Sequence, residues 1–318
     1  MQPNPQQLST NESTVYIGTG EFLSIPAIEI NAEQTGYGGQ QNILESINTE
    51  HGFIWIDRQK GKVFKFANGL EEISRFGMQY WFMNNLPNDD HCVLTYDPQY
   101  ERLLITNRGK WTISYDFLNK AWTSFHSYIP DYYMYDGETF YSVVGNKIWK
   151  HKGAKTFTTF FNNQYPYVVE FVVRDIMNFD MYSIQYYATP YIYNNGKWIK
   201  SPESTFTDMW VYNDFQSTGK VTLELDRGYD NIYFYPDKKH IKESDGMYKI
   251  NNIKAINTSN DISTGDYVNK EPLPVNIESQ YQMVPVSGRF AVVRLYMTND
   301  KVKMITHLLN TIKQYNIR

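Results

Sequence analysis

The 318-residue chain has a single cysteine, Cys92, so it can form no internal disulfide and must be held together by packing. A lone cysteine between His91 and Val93 at a strand start reads as a small buried apolar residue, in a chain suited to a reducing compartment. No run of 18 apolar residues occurs, and the polar start MQPNPQQLSTNEST has neither the basic flank nor the apolar stretch of a secretory signal. No membrane span and no targeting address are therefore expected. Basic excess is also lacking. Thirty Lys and Arg stand against 34 Asp and Glu, a formal charge of −4, which excludes the clustered cations of a dedicated, sequence-reading nucleic-acid binder.

Aromatic residues are abundant, at 16% of the chain with 27 tyrosines, while charged residues make up only 20%. That balance favours pleated, half-buried surfaces, and the fold class expected is all-β. Residues 1–50 read as an extended N-terminal segment and connector, with the first 14 resembling a flexible tail. Gly36-Tyr37-Gly38-Gly39 lies outside any strand-to-helix setting and reads as a loop, not a phosphate cradle.

From His51 a device repeats. GFIWIDRQKGKVFKF is an apolar run ending at Asp57, then a polar turn, then an alternating run. It returns in VLTYDPQYERLLIT, WTISYDFLNKAWTSF and YYMYDGETFYSVVGNKIWKH. Asp57, Asp97, Asp116 and Asp136 each end an apolar strand just before a turn, where a short carboxylate accepts hydrogen bonds from backbone N–H groups two or three positions on. They read as turn locks. Trp55, Trp111, Trp122 and Trp149 read as the packing between sheets. In WTISY, Trp111, Ile113 and Tyr115 should point one way and Thr112 and Ser114 the other. Such a meander has the grammar of β-propeller blades, yet residues 51–155 hold material for about two, fewer than a closed propeller uses. An incomplete propeller-like meander is expected there.

Residues 156–318 carry longer strands joined by turns such as Asn194-Asn195-Gly196, the pattern of a β-sandwich-like domain. The C-terminal KVKMITHLLNTIKQYNIR has helical spacing at Val302, Ile305, Leu309 and Ile312. Asn299-Asp300 nevertheless reads as a hairpin turn, which makes the segment a strand returning beside AVVRLYM.

Catalytic spacing is wanting. The pairs Glu71-Glu72 and Asp89-Asp90 are neighbours that diverge, no serine sits in a Gly-x-Ser-x-Gly elbow, and the six histidines have no metal-ligand spacing. No catalytic residue, cofactor or metal is expected. The basic clusters at 150–155 and 238–242 read as solvated faces. SYDFLNKAW, residues 114–122, resembles a stretched Asp-box of sialidase-type propellers, a structural element even in enzymes; here its glycine is absent and Asn119 stands one place late.

Three strings carry a wider resemblance: residues 36–82 (GYGGQQNILESINTEHGFIWIDRQKGKVFKFANGLEEISRFGMQYWF), 206–220 (FTDMWVYNDFQSTGK) and 288–311 (GRFAVVRLYMTNDKVKMITHLLNT). Together they resemble the C-terminal part of the tail stabilization, or muzzle, proteins of crAss-like podoviruses, phages of gut Bacteroidetes. The resemblance implies a non-enzymatic virion component, made in the host cytoplasm, that is arranged around the tail axis and helps form and close the DNA exit path. It implies as partners other tail proteins, with further copies of the chain or the rest of a longer precursor, and proximity to packaged DNA. A carbohydrate-binding or carbohydrate-cleaving tail protein, whose exposed Tyr and Trp would stack on sugars, is the alternative.

Overall fold

The computed structural model describes residues 5–10, 13–18, 38–86, 91–137, 139–152, 156–226, 238–257 and 283–315. Strand makes up 62%, so the all-β expectation holds; among the described residues there is one α-helix, several small antiparallel sheets accompany one large mixed sheet, and no propeller is formed. The chain divides into two compact units, Met1–Ile148 and Trp149–Arg318.

In the first unit, β1 (Pro5–Thr10) and β2 (Ser13–Gly18) pair with each other, where a flexible tail was the expectation. Three sheets follow, each a meander in chain order. The first holds β3 (Ser46–Thr49), β4 (Gly52–Asp57), β5 (Lys62–Phe66) and β6 (Leu70–Glu72). A 3-10 turn, Ile73–Arg75, and the helix α1 (Gln79–Asn85) lead to the second, made of β7 (Cys92–Asp97), β8 (Arg102–Asn107), β9 (Trp111–Asp116) and β10 (Ala121–His126). The third holds β11 (Tyr132–Tyr135), β12 (Phe140–Val144) and β13 (Lys147–Lys150), the last two residues of which are counted with the second unit.

Alternation of side chains along each strand decides how these sheets stack. Ile54, Ile56 and Val63 of the first sheet are fully buried in one core with Leu103, Ile105, Ile113 and Tyr115 of the second. Thr95, Thr106, Thr112 and Ser114, on the opposite face of the second sheet, are buried too. There Thr106 Oγ1 lies 2.5 Å from the Tyr133 hydroxyl of the third sheet. The second sheet is thus covered on both faces, which is why almost every residue of β7, β8 and β9 is buried. The first strands of the three meanders are neighbours, β3 touching β7 and β7 touching β11.

The second unit opens with the short pair β14 (Thr159–Phe160) and β15 (Asn163–Gln164). Its frame is β16 (Tyr167–Asn194), a strand of 28 residues, with β17 (Lys197–Lys200), β18 (Asp208–Tyr212), β19 (Gln216–Ser217), β20 (Val221–Leu225), β21 (Lys238–Ser244), β22 (Met247–Asn251), β23 (Lys254–Asn257), β24 (Val284–Met297) and β25 (Val302–Tyr315). Asn195 and Gly196 both take positive φ in the tight turn from β16 to β17, as an Asn-Gly hairpin requires.

In place of the two facing sheets of a sandwich, one sheet closes on itself. β16 pairs β22, β22 pairs β21, β21 pairs β20 in parallel, β20 pairs β18, β18 pairs β24, and β24 pairs β16 again. The bend that permits closure lies in β16, where the four residues Asp175–Asn178 bulge opposite one residue of β24, between the pairs Arg174↔Phe290 and Phe179↔Gly288. Tyr167 pairs Met297 while Ile192 pairs Val302, and the four residues 298–301 connect those partners. Straight, that part of β16 would span about 80 Å. A five-residue step reaches at most about 18 Å, so the strand must curl round. The C-terminal segment is a strand, but it returns to β16 and not to β24.

Closure sorts the side chains. Met209 and Val211 of β18 join Ala291, Val293 and Leu295 of β24 in the interior core. Trp210 and Tyr212 point outward and stack at 4.3 Å. Arg294 stands opposite both Trp210 and Glu170 in the two ladders beside it; it ion-pairs with Glu170 and lies 5.2 Å from the Trp210 ring. Inside, Tyr186 and Tyr248 stack at 5.0 Å, and each hydroxyl has a partner, Thr205 Oγ1 at 2.7 Å and the Pro202 carbonyl at 2.7 Å. Burial pushes the Tyr248 phenol up to about 12.

Candidate functional site

The repeated aspartates occupy one kind of position. Asp57, Asp97 and Asp116 each pair across the ladder with the residue five places on, Lys62, Arg102 and Ala121. The residue before that partner is left-handed in all three loops: Gly61 at φ 61°, Glu101 at 50° and Lys120 at 49°. A carboxylate at the loop's start faces the N–H groups that this reversal leaves unpaired. Asp57 Oδ1 accepts from the Lys60 N–H at 3.2 Å, and Asp97 Oδ1 from the Gln99 N–H at 3.1 Å. Asp116 Oδ1 accepts from the Leu118 and Asn119 N–H groups at 2.8 and 3.0 Å, and its Oδ2 from the Asn119 side-chain amide at 2.7 Å. Those Asn119 bonds, backbone first, with the Leu118 N–H, hold the Asp116 carboxyl below its usual range. Asp136 sits in a different turn, with Gly137 at φ 70°, and accepts from the Thr139 N–H at 3.1 Å.

Two of the carboxylates do more than close their own loops. Asp57 is buried, and its oxygens take the Gly38 N–H at 3.0 Å and the Gln41 amide at 3.1 Å. The Gln41 carbonyl oxygen in turn accepts from the Arg58 N–H at 2.7 Å, so the connector is pinned to the first sheet. Asp97, also buried, receives Arg102 Nε at 3.0 Å. The sequence reading missed Asp131, whose Oδ2 accepts from the Gly145 N–H at 2.7 Å and whose carbonyl accepts from Arg108 Nε at 3.1 Å. It follows Ile129-Pro130 and precedes β11, where no apolar strand ends in it as one does in the repeated aspartates.

The tryptophans are dispersed. Trp111 is buried edge-on to Trp81 at 4.8 Å, in the core between the first and second sheets. Trp122 is half-buried against that core; it meets Phe82 at 4.6 Å and donates Nε1–H to the Ile73 carbonyl at 3.0 Å. Trp55 lies on the other face of the first sheet, stacked between Phe53 and Phe64, and donates to the Gly38 carbonyl at 2.7 Å. Trp149 falls in the second unit, half-buried, with its ring 5.6 Å from Phe161.

Glu71 and Glu72 are each engaged by a lysine across the ladder, Lys65 at 2.7 Å and Lys62 at 3.0 Å; Asp89 and Asp90 lie outside the described residues. Among the described residues no group of three or more His, Cys, Asp or Glu is placed to hold a metal ion, and no helix is long and apolar enough to cross a membrane. The arrangement is one of locked turns and stacked faces, with the connector and the first two sheets inside one compact unit.

Residues 9–146 match the family model of the Crassvirus muzzle protein. The muzzle family is a structural component of the phage tail, which places its members in the virion with tail proteins as assembly partners and a non-enzymatic role. The match lies wholly within the first unit and spans the first two sheets with β11 and β12 of the third. The string at 36–82 falls inside it, whereas the strings at 206–220 and 288–311 lie beyond it. No curated protein matches the chain.

Proposed function

We propose that the chain is a muzzle component of a short-tailed phage, a non-enzymatic subunit arranged around the tail axis that helps form and close the DNA exit path. The observation that carries this reading is the coincidence of the muzzle match with the sheet stack. Within it the three small antiparallel sheets stack with their first strands β3, β7 and β11 as neighbours. Asp57, Asp97, Asp116 and Asp136 serve as turn locks, and Trp55, Trp111 and Trp122 as packing on the sheet faces. Its partners are other tail proteins and further copies of the chain. Mass spectrometry of purified virions, with a cryo-EM map of the tail, tests this: the polypeptide should be recovered and its density should surround the axis. Virions that lack it would refute the reading.

A further inference from the structure

Where β16 passes between β17 and β25, its register sorts the side chains into two sides. Ile192, paired with both Ile199 and Val302, packs on the inner core with Val302. Tyr191 and Tyr193 therefore turn outward, Tyr191 between Lys200 of β17 and Lys303 of β25, and Tyr193 beside Trp198. Trp198 meets Tyr193 edge-on at 5.3 Å and Phe157 at 5.8 Å, and the Lys303 ammonium lies 5.8 Å from the Trp198 ring. Tyr193 stays 53% exposed and Trp198 44%, with Lys200 and Lys303 exposed beside them.

The charge of this face is of one sign. β17, residues 182–194 of β16 and β25 carry no Asp or Glu, although the chain as a whole has a formal charge of −4; Glu203 and Asp300 stand in the connections after β17 and before β25. Among the described residues no ion pair engages Lys200 or Lys303. Cations beside exposed rings call for a ligand that has both anions and flat faces. We propose that this outward face binds an acidic polysaccharide, a chain of sugar rings that carry carboxylates. The C–H faces of the sugars pack on the negative π faces of Tyr193 and Trp198, and the carboxylates meet Lys200 and Lys303. Neighbouring strands stand about 4.8 Å apart, so the two lysines flank Tyr191 about 10 Å from each other, and the Tyr193-Trp198 pair lies about 7 Å further along. Two cations suit the sparse charge of such a chain. A nucleic acid brings a phosphate at each nucleotide, which a protein of net charge −4 repels, and a duplex keeps its bases stacked away from these rings. The face belongs wholly to the second unit and lies beyond the residues matched to the muzzle family, so its ligand is independent of the tail assembly proposed above.

The test is biolayer interferometry of the full chain on immobilised alginate, a linear polyuronate, with dextran as the uncharged control and a single-stranded oligothymidylate as the rival ligand. The wild type should bind alginate, more weakly as salt rises, and should bind dextran and the oligonucleotide at least about tenfold less tightly. Trp198→Ala and Lys303→Glu should each weaken alginate binding at least about tenfold while circular dichroism and melting stay native, because both side chains are exposed. An absence of alginate binding overturns the proposal, as does binding that either folded variant leaves unchanged. Dextran bound as well as alginate would remove the role of the lysines, and a more tightly bound oligonucleotide would make nucleic acid the occupant; either result defeats the proposal too.

Discussion

Trp111→Ala is the sharpest probe of how the first two sheets are joined. The side chain is 4% exposed, meets Trp81 edge-on and sits among Ile105, Ile113 and Phe82, so truncation leaves a cavity that the rigid sheets on either side cannot fill. A buried aromatic of this kind removes about 150–250 Å² from water, and losing it costs about 3–5 kcal/mol. For a unit of this length each kcal/mol shifts melting by about 2–4 °C, so the first unit should melt about 6–20 °C lower by differential scanning calorimetry. The control lies nearby. Leu118 is 84% exposed at the tip of the β9–β10 turn, and Leu118→Ala should stay within about 0.5 kcal/mol because its N–H bond to Asp116 is unchanged. If Trp111→Ala melts as the wild type does, the assigned strand faces are reversed and the stack described above is wrong.

The repeated loop predicts opposite signs for two substitutions measured by urea unfolding. Gly61→Ala should destabilise by more than about 1 kcal/mol, since φ is +61° and the new Cβ would lie 2.6 Å from Met83 Cα, whereas Lys120→Gly should be neutral or stabilise by up to about 1 kcal/mol by relieving a left-handed non-glycine. The ion pair of Glu45 and Arg58, 2.7 Å apart with both side chains buried, should lose about 3–5 kcal/mol on Glu45→Gln and recover much of it in Glu45→Leu with Arg58→Met. Asp175, held down to about 2 by hydrogen bonds first from Lys313 and then from Tyr315, should make the second unit lose stability as pH falls from near 4 towards 2. The sign follows from its depressed folded value, because the stabilisation is full above the unfolded pKa and disappears below the folded one. Asp175→Asn should flatten that limb of a pH-dependent melt.

Where structure is set by neighbours in sequence, the sequence announced it. The alternating run at 62–66 and the apolar run at 52–57 become adjacent strands because five or six residues with one buried face and a four-residue polar loop leave few other outcomes. The aspartates that start the β4–β5, β7–β8 and β9–β10 turns were visible for the same reason. What they share beyond the carboxylate, a left-handed residue four places on, was hidden because glycine fills it once and Glu101 and Lys120 fill it otherwise. The curl of β16 was hidden more deeply. Asp175, Ile176, Met177 and Asn178 include no glycine or proline, and the bulge exists only because β24 and β25 hold the two ends of one strand. Pairings between residues more than 100 positions apart leave no local periodicity to read, which is why a sandwich was the natural expectation for a sheet that closes.

The two units solve the problem of sheet edges and faces differently, and the difference bears on what each is for. A closed ring of ladders satisfies the backbone of its strands and buries one face entirely, so the second unit holds a continuous interior from Val173 to Val302 without help. A stack of open sheets cannot do this. Each added sheet covers one apolar face and presents another, and the series ends where the last face is polar or is met by something else. Here the middle sheet has met this condition on both sides, with aliphatic side chains towards the first sheet and hydroxyls towards the third. The end sheets have met it only in part: Trp55 and Phe64 are buried beside the Gly38 connector, while Phe53, Phe66 and Leu70 on one sheet and Tyr132 and Met134 on the other stay exposed. Apolar groups clustered at both ends of a stack are costly in water and mark surfaces built for contact. The residues matched to the muzzle family, 9–146, carry these exposed apolar groups of both end sheets, Phe53, Phe66, Leu70, Tyr132 and Met134.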